Sequence, residues 1–141
     1  MNNDNNNDDN EVTMVKVQYD NDYCIGYLKG RILHRLNGPA FIHHYESGLV
    51  ECESWYINGK LHRLDGPAKI EYYESGLVKS ESWYINGKLH RLDAPAKIYY
   101  QIDGSIHKEY WYVAGKKHRL FDHTVDYSKI IKVESGVWFD D

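Results

Sequence analysis

The dipeptide His-Arg occurs at His34-Arg35, His62-Arg63, His90-Arg91 and His118-Arg119, each 28 residues after the one before. Around it the chain copies itself: residues 53–73 read ESWYINGKLHRLDGPAKIEYY and residues 81–100 read ESWYINGKLHRLDAPAKIYY. A fixed period of this length marks a repeat architecture, in which each unit buries its apolar surface against the next. The units run at about 20–47, 48–75, 76–103 and 104–131, followed by a C-terminal cap. They fill residues 11–141 as one repeat domain and leave no room for a second.

Within a unit the period is that of strands. Ala68-Lys69-Ile70-Glu71-Tyr72-Tyr73 alternates apolar and polar side chains. Glu74-Ser75-Gly76 is then a tight turn, with Gly free to take positive φ. Leu77–Ile85 reads as a second, longer strand. Asn86-Gly87, like Asn58-Gly59, predicts a type I′ hairpin turn, because both central residues of that turn need φ > 0. Lys88–Arg91 returns along the second strand, and Leu92-Asp93-Ala94-Pro95 bends into the next unit. Pro39, Pro67 and Pro95 all fall in this bend, where a missing N–H does no harm. Ala94 stands where the other units have Gly38 and Gly66; the position precedes proline, is biased to extended backbone and does not require glycine. The first unit reads as carrying one extra residue between Gly30 and His34. The expected fold is therefore all-β: an elongated, single-layer antiparallel meander of about four β-hairpin repeats.

The aromatic content is thirteen Tyr and four Trp against three Phe. Rings with a polar tip suit a thin sheet that stays half wet, and they suit interfaces. One layer cannot dry both faces of so many rings, so the sheet is expected to coil, with weak self-association, rather than stack face to face. Trp55, Trp83 and Trp111 share a side with Ile57, Ile85 and Val113 and are taken as the packed row. Tyr56, Tyr84 and Tyr112 share theirs with Ser54 and Ser82 and are taken as the wetter row, which either docks a partner or stiffens the sheet.

Net charge is −4, and removing the three Asp of residues 1–10 and Asp140-Asp141 leaves about +1 for the repeats. No field of one sign points to nucleic acid or to an anionic membrane. Residues 1–10, rich in Asn and Asp, have no apolar stretch, so they read as a disordered tail and not as a secretory signal. Cys24 and Cys52 occupy equivalent positions of neighbouring units. Their Cα atoms should lie two strand spacings apart, roughly 9–10 Å, beyond the roughly 7 Å that a disulfide tolerates. Two free thiols fit a cytoplasmic setting.

A row of His34, His62, His90 and His118 at that spacing does not converge on one metal ion. Each is expected to pack beside an Asn-Gly turn and bond a neighbouring backbone group or an Asp. Arg63, Arg91 and Arg119 could read phosphate alongside the Tyr row, but pairing with Asp65, Asp93 or the strand acids Glu53 and Glu81 is the preferred reading. His123, which replaces the repeat's proline, stands alone. No phosphate loop, nucleophile elbow or acid pair breaks the pattern, so neither catalysis nor a cofactor is expected.

The run Gly66–Arg91 resembles MORN-type repeats, in the variant built on Gly66, Pro67, Tyr72, Tyr73, Gly76, Lys79, Glu81, Tyr84, Asn86, Gly87, Lys88 and His90. The resemblance spans about residues 24–123. It departs in having Arg after each His, where that family often has Gly, and in its longer unit. Proteins of this type occur in bacteria, some labelled antitoxin components, and as repeat paralogues of giant DNA viruses. Here the resemblance implies a scaffold that binds protein partners, including a second copy of itself, in a host cytoplasm if the chain is viral. It brings no catalytic residues. A peripheral module using the Arg, Lys and Tyr side chains on lipid or nucleic acid is the alternative.

Overall fold

The computed structural model describes residues 11–118. The N-terminal tail, the C-terminal cap, Arg119 and His123 lie outside them, as does the side chain of His118. Fourteen strands follow in chain order: β1 Val12–Gln18, β2 Tyr23–Lys29, β3 Ile32–Leu33, β4 Phe41–His44, β5 Val50–Ser54, β6 Tyr56–Ile57 and β7 Lys60–Leu61, then β8 Lys69–Tyr72, β9 Val78–Ser82, β10 Tyr84–Ile85, β11 Lys88–Leu89, β12 Lys97–Tyr100, β13 Ile106–Val113 and β14 Lys116–His118. The long strands pair antiparallel in the order β1-β2-β4-β5-β8-β9-β12-β13-β14, an open meander in a single layer. No helix occurs among the described residues, so none there crosses a membrane.

Each turn follows its residues. Asn58 and Asn86 take φ 49°, with Gly59 at 78° and Gly87 at 79°, the double left-handed pattern of the type I′ turn. The fourth turn keeps that pattern with Ala114 at φ 50°. At the other end of each unit, Gly48, Gly76 and Gly104 take φ near 85°. Their N–H groups close the turn, as in Gly76 N–H to Tyr73 O at 2.8 Å. The register slips once beside each of these turns, at His43/His44, Glu71/Tyr72 and Tyr99/Tyr100, as a glycine bulge requires. Replacing Gly87 with valine forces a β-branched residue to positive φ and is expected to cost about 1–2 kcal/mol in thermal unfolding. A Cβ there would meet only Lys60 at an ordinary 3.8 Å, so the cost is conformational and not steric. An unchanged unfolding midpoint would refute the turn assignment.

Two expectations need correction. The long second strand is broken at Trp55 and Trp83. Trp55 N–H donates to Ala68 O at 2.7 Å, in the main sheet, while Trp55 O accepts from His62 N–H at 3.0 Å, in the β6–β7 hairpin. The chain changes partners at the tryptophan. The hairpins then bond side by side in a second ladder: Arg35 N–H to Tyr56 O, Arg63 N–H to Tyr84 O and Arg91 N–H to Tyr112 O, at 3.0–3.1 Å. Nor does the first unit contain an insertion. Lys29 pairs with Ile32 as Ile57 pairs with Lys60, so the register is kept. Gly30 takes the place of Asn58 with φ 62°, and only the turn type changes.

The packed interior is made mostly of small residues, joined by Ile98 and His34. Ala40, Ala68 and Ala96 are fully buried, and Ser54, Ser80 and Ser82 are 3% exposed. Among the described residues no large side chain is fully enclosed, as a single layer dictates. Tyrosine side chains staple the strands together, two of them between successive units and two within a unit. Tyr45 OH donates to Tyr72 O at 2.7 Å and Tyr73 OH to Tyr100 O at 2.8 Å. Tyr72 OH donates to Glu53 at 2.8 Å and Tyr100 OH to Glu81 at 2.7 Å. Burial, then the bond to the Glu81 carboxylate, pushes the Tyr100 hydroxyl up to about 12, so it stays a donor at any physiological pH.

Candidate functional site: the bend ladder

Three bends of nearly identical build lie along the stack. In each, the arginine sits over an aromatic ring of its own unit. The guanidinium carbon is 3.8 Å from the ring centre of Tyr27 for Arg35, 4.1 Å from that of Trp55 for Arg63, and 3.9 Å from that of Trp83 for Arg91. Nη1 donates to the carbonyl of Pro39, Pro67 or Pro95 at 3.2–3.3 Å. Arg63 Nε also donates to Asp65 at 3.0 Å. The corresponding Arg91–Asp93 contact is 4.0 Å, an ion pair without a hydrogen bond. The bend residue accounts for this difference. A Cβ on Gly66 would sit 2.8 Å from Arg63 Cζ, so glycine makes room for the guanidinium rather than for a special φ. With Ala94 the bend survives and the arginine keeps its ring and its Pro95 carbonyl, but it lies farther from the acid.

The residue after each arginine is a leucine turned to solvent. Leu36 is 81% exposed, Leu64 82% and Leu92 69%. Successive rungs are two strand lines apart, roughly 9–10 Å. Between the first two rungs lies an open groove of about 710 Å³, lined by Leu36, Trp55, Ile57, Arg63, Leu64 and Asp65 among others. Leucines at one position of three described units, beside arginine-capped rings, form an apolar patch with the composition of an interface core. The sequence placed Leu92 in the bend but did not single these leucines out as a surface.

The other candidate residues are placed as follows. His34, His62 and His90 each accept, at Nδ1, the backbone N–H of the first turn residue of the next unit: Asn58 at 2.9 Å, Asn86 at 3.1 Å and Ala114 at 3.0 Å. The backbone partnership expected of them is found, and it links unit to unit. Among the described residues no group of three His, Cys, Asp or Glu is placed to hold a metal ion. Tyr56, Tyr84 and Tyr112 are half-buried, and their carbonyls carry the second ladder. The wetness expected of their side is not found at Ser54 and Ser82, which share it and are among the most buried residues. Trp55, Trp83 and Trp111 are half-buried as well.

On the Tyr side ionisable groups lie in contact with one another. Lys69 meets Glu71 at 2.9 Å. Burial opposes ionisation of Glu71, but bonds from Ser80 and Lys69, with the Lys79 charge, hold its carboxyl below the usual range. His43 lies between Asp22, at 3.1 Å, and Glu51, at 2.8 Å. His43 also separates the two cysteines, standing opposite Cys24 on one strand and Cys52 on the other, and both thiols are free. Burial pushes the Cys52 thiol up, away from the thiolate a nucleophile needs.

No family model matches the chain, and neither a curated protein nor a solved structure matches it.

Proposed function

We propose that the chain is a non-catalytic scaffold of MORN-like repeats that docks a protein partner along the bend ladder. The observation that carries this reading is the exposure of Leu36, Leu64 and Leu92 at one equivalent position in three successive units. The partner it suits presents apolar side chains at a pitch of roughly 10 Å, the axial distance between helix positions i and i+7. The 28-residue period, the Asn-Gly turns and the His bonds between units support the family assignment. Glu53, Glu71, Glu81 and Lys69 are taken up in pairs and staples, which favours binding over catalysis. The arginines of the alternative lipid or nucleic-acid reading are tied to ring faces and proline carbonyls, which leaves them poorly placed to release counterions from phosphates.

The triple change Leu36→Ser, Leu64→Ser and Leu92→Ser tests the reading. It should leave the unfolding midpoint within about 2 °C, because the leucines contribute little buried area. Affinity for a purified partner first captured by the parent chain should fall at least about tenfold. Undiminished affinity would remove the ladder from the interface. Binding to anionic vesicles or duplex DNA that fades steeply with salt and needs Arg35, Arg63 and Arg91 would establish the alternative.

A further inference from the structure

Strand β1 is unlike every other strand in the sheet. It pairs with β2 along its whole length, from Val12 opposite Lys29 to Gln18 opposite Tyr23. Yet all seven of its residues are exposed, and its apolar members Val12, Met14, Val15 and Val17 are between 38% and 58% exposed. Among the described residues nothing pairs with its outer edge.

A long flat edge rich in β-branched residues is a template for another strand, and proteins ordinarily blunt such edges with proline, bulges, short strands or outward charge. β1 has no proline or glycine and keeps its register without a slip. Its one charge, Lys16, lies with Nζ 4.0 Å from the ring centre of Tyr23 on β2. That draws the ammonium inward and leaves the edge without its single deterrent.

The sequence of β1 complements itself. Antiparallel pairing about a two-fold axis at Val15 keeps all seven residues in register. It sets Val12 opposite Gln18 of the second copy, Thr13 opposite Val17, Met14 opposite Lys16, and Val15 opposite itself. No like charges face each other, and one side carries only Thr and Val. Centring the pair on Lys16 would bring the two lysines together, which is destabilising. Centring it on Met14 would shorten the match and set Glu11 against Val17. The unit already grows by antiparallel addition at every step, so a second copy continues the same ladder and twist.

We propose that β1 is a homodimer edge: two copies join antiparallel through β1, centred on Val15, into one continuous two-fold symmetric sheet. The contact is isologous and closes at two subunits. Val12 shares a groove with Leu36 of the first rung, but Leu64 and Leu92 lie outside it, so Val15 variants test the edge and the Leu64 and Leu92 changes test the docking reading separately.

The test uses the full chain. Sedimentation equilibrium should show a monomer–dimer equilibrium that shifts with concentration. Val15→Lys and Val15→Glu chains, each alone, should dimerise at least about tenfold more weakly, because like charges then meet at the axis. An equimolar mixture of the two should recover the dimer, which a merely damaged fold could not do. Hydrogen exchange on the unaltered chain gives a second readout: amides of residues 12–18 should gain protection as concentration rises, while those of β8 and β9 stay level. A parent chain monomeric at every concentration, a dimer indifferent to Val15→Lys, or a mixture that stays monomeric would each overturn the proposal.

Discussion

Enlarging Ala68 to leucine is expected to lower stability by about 3 kcal/mol, the upper part of the usual range for overpacking. For a chain of this size that is a fall of roughly 10 °C in the unfolding midpoint. The alanine is fully buried. Its backbone is held on both sides, with Ala68 N–H donating to Ser82 O at 2.8 Å and Ala68 O accepting from Trp55 N–H at 2.7 Å. The Cα therefore cannot back away from an added side chain without breaking the ladder where the main sheet passes into the hairpin. The same two bonds recur at Ala40 and Ala96, so Ala96→Leu should behave alike. Leu64→Ser, four residues away and 82% exposed, is the contrast, with a change within about 0.5 kcal/mol. Thermal unfolding followed by circular dichroism measures both. Equal midpoints for Ala68→Leu and Leu64→Ser would mean that the bend is loosely packed.

Those two residues also mark how far the sequence could be read. Turn chemistry was legible because it is local. Asn-Gly requires positive φ twice, Gly76 requires it once, and the structure supplies both. Meander topology followed from the period, since a 28-residue unit with two turns leaves only strands between them. The break at Trp55 and Trp83 was not legible. Side-chain alternation runs smoothly through Ser-Trp-Tyr-Ile, and only the switch of hydrogen-bond partners, from Ala68 to His62, divides the strand. The pairing of Arg63 with Asp65 was legible and is found, but the ring beneath the guanidinium was not foreseen. Asp65, two residues on, was the obvious mate, whereas Trp55 reaches the guanidinium only because the hairpin folds the chain back. Exposure was the least legible property. Ser82 and Leu92 reverse the order that polarity assigns them, because burial in a single layer depends on the overhang of neighbouring strands rather than on side-chain type.

Truncating Trp83 to alanine should cost about 2–3 kcal/mol, less than the loss of a fully buried tryptophan because this ring is half-buried. Most of that is lost apolar burial. Part of it is the Arg91 stack at 3.9 Å, worth about 0.5–1 kcal/mol at a site partly open to water. A double-mutant cycle separates the two contributions. Arg91→Ala should cost less in a Trp83→Leu chain than in the parent, by that coupling. Costs that add would show that the guanidinium rests on the ring without stabilising it. The distinction bears on the ladder beyond stability. Arg91 is held by the ring and by Pro95 O, and that hold fixes the backbone from which Leu92 projects. Losing the ring should therefore weaken partner binding at the third rung even where the leucine itself is untouched, and Trp83→Phe, which keeps a face for the guanidinium, should restore most of it.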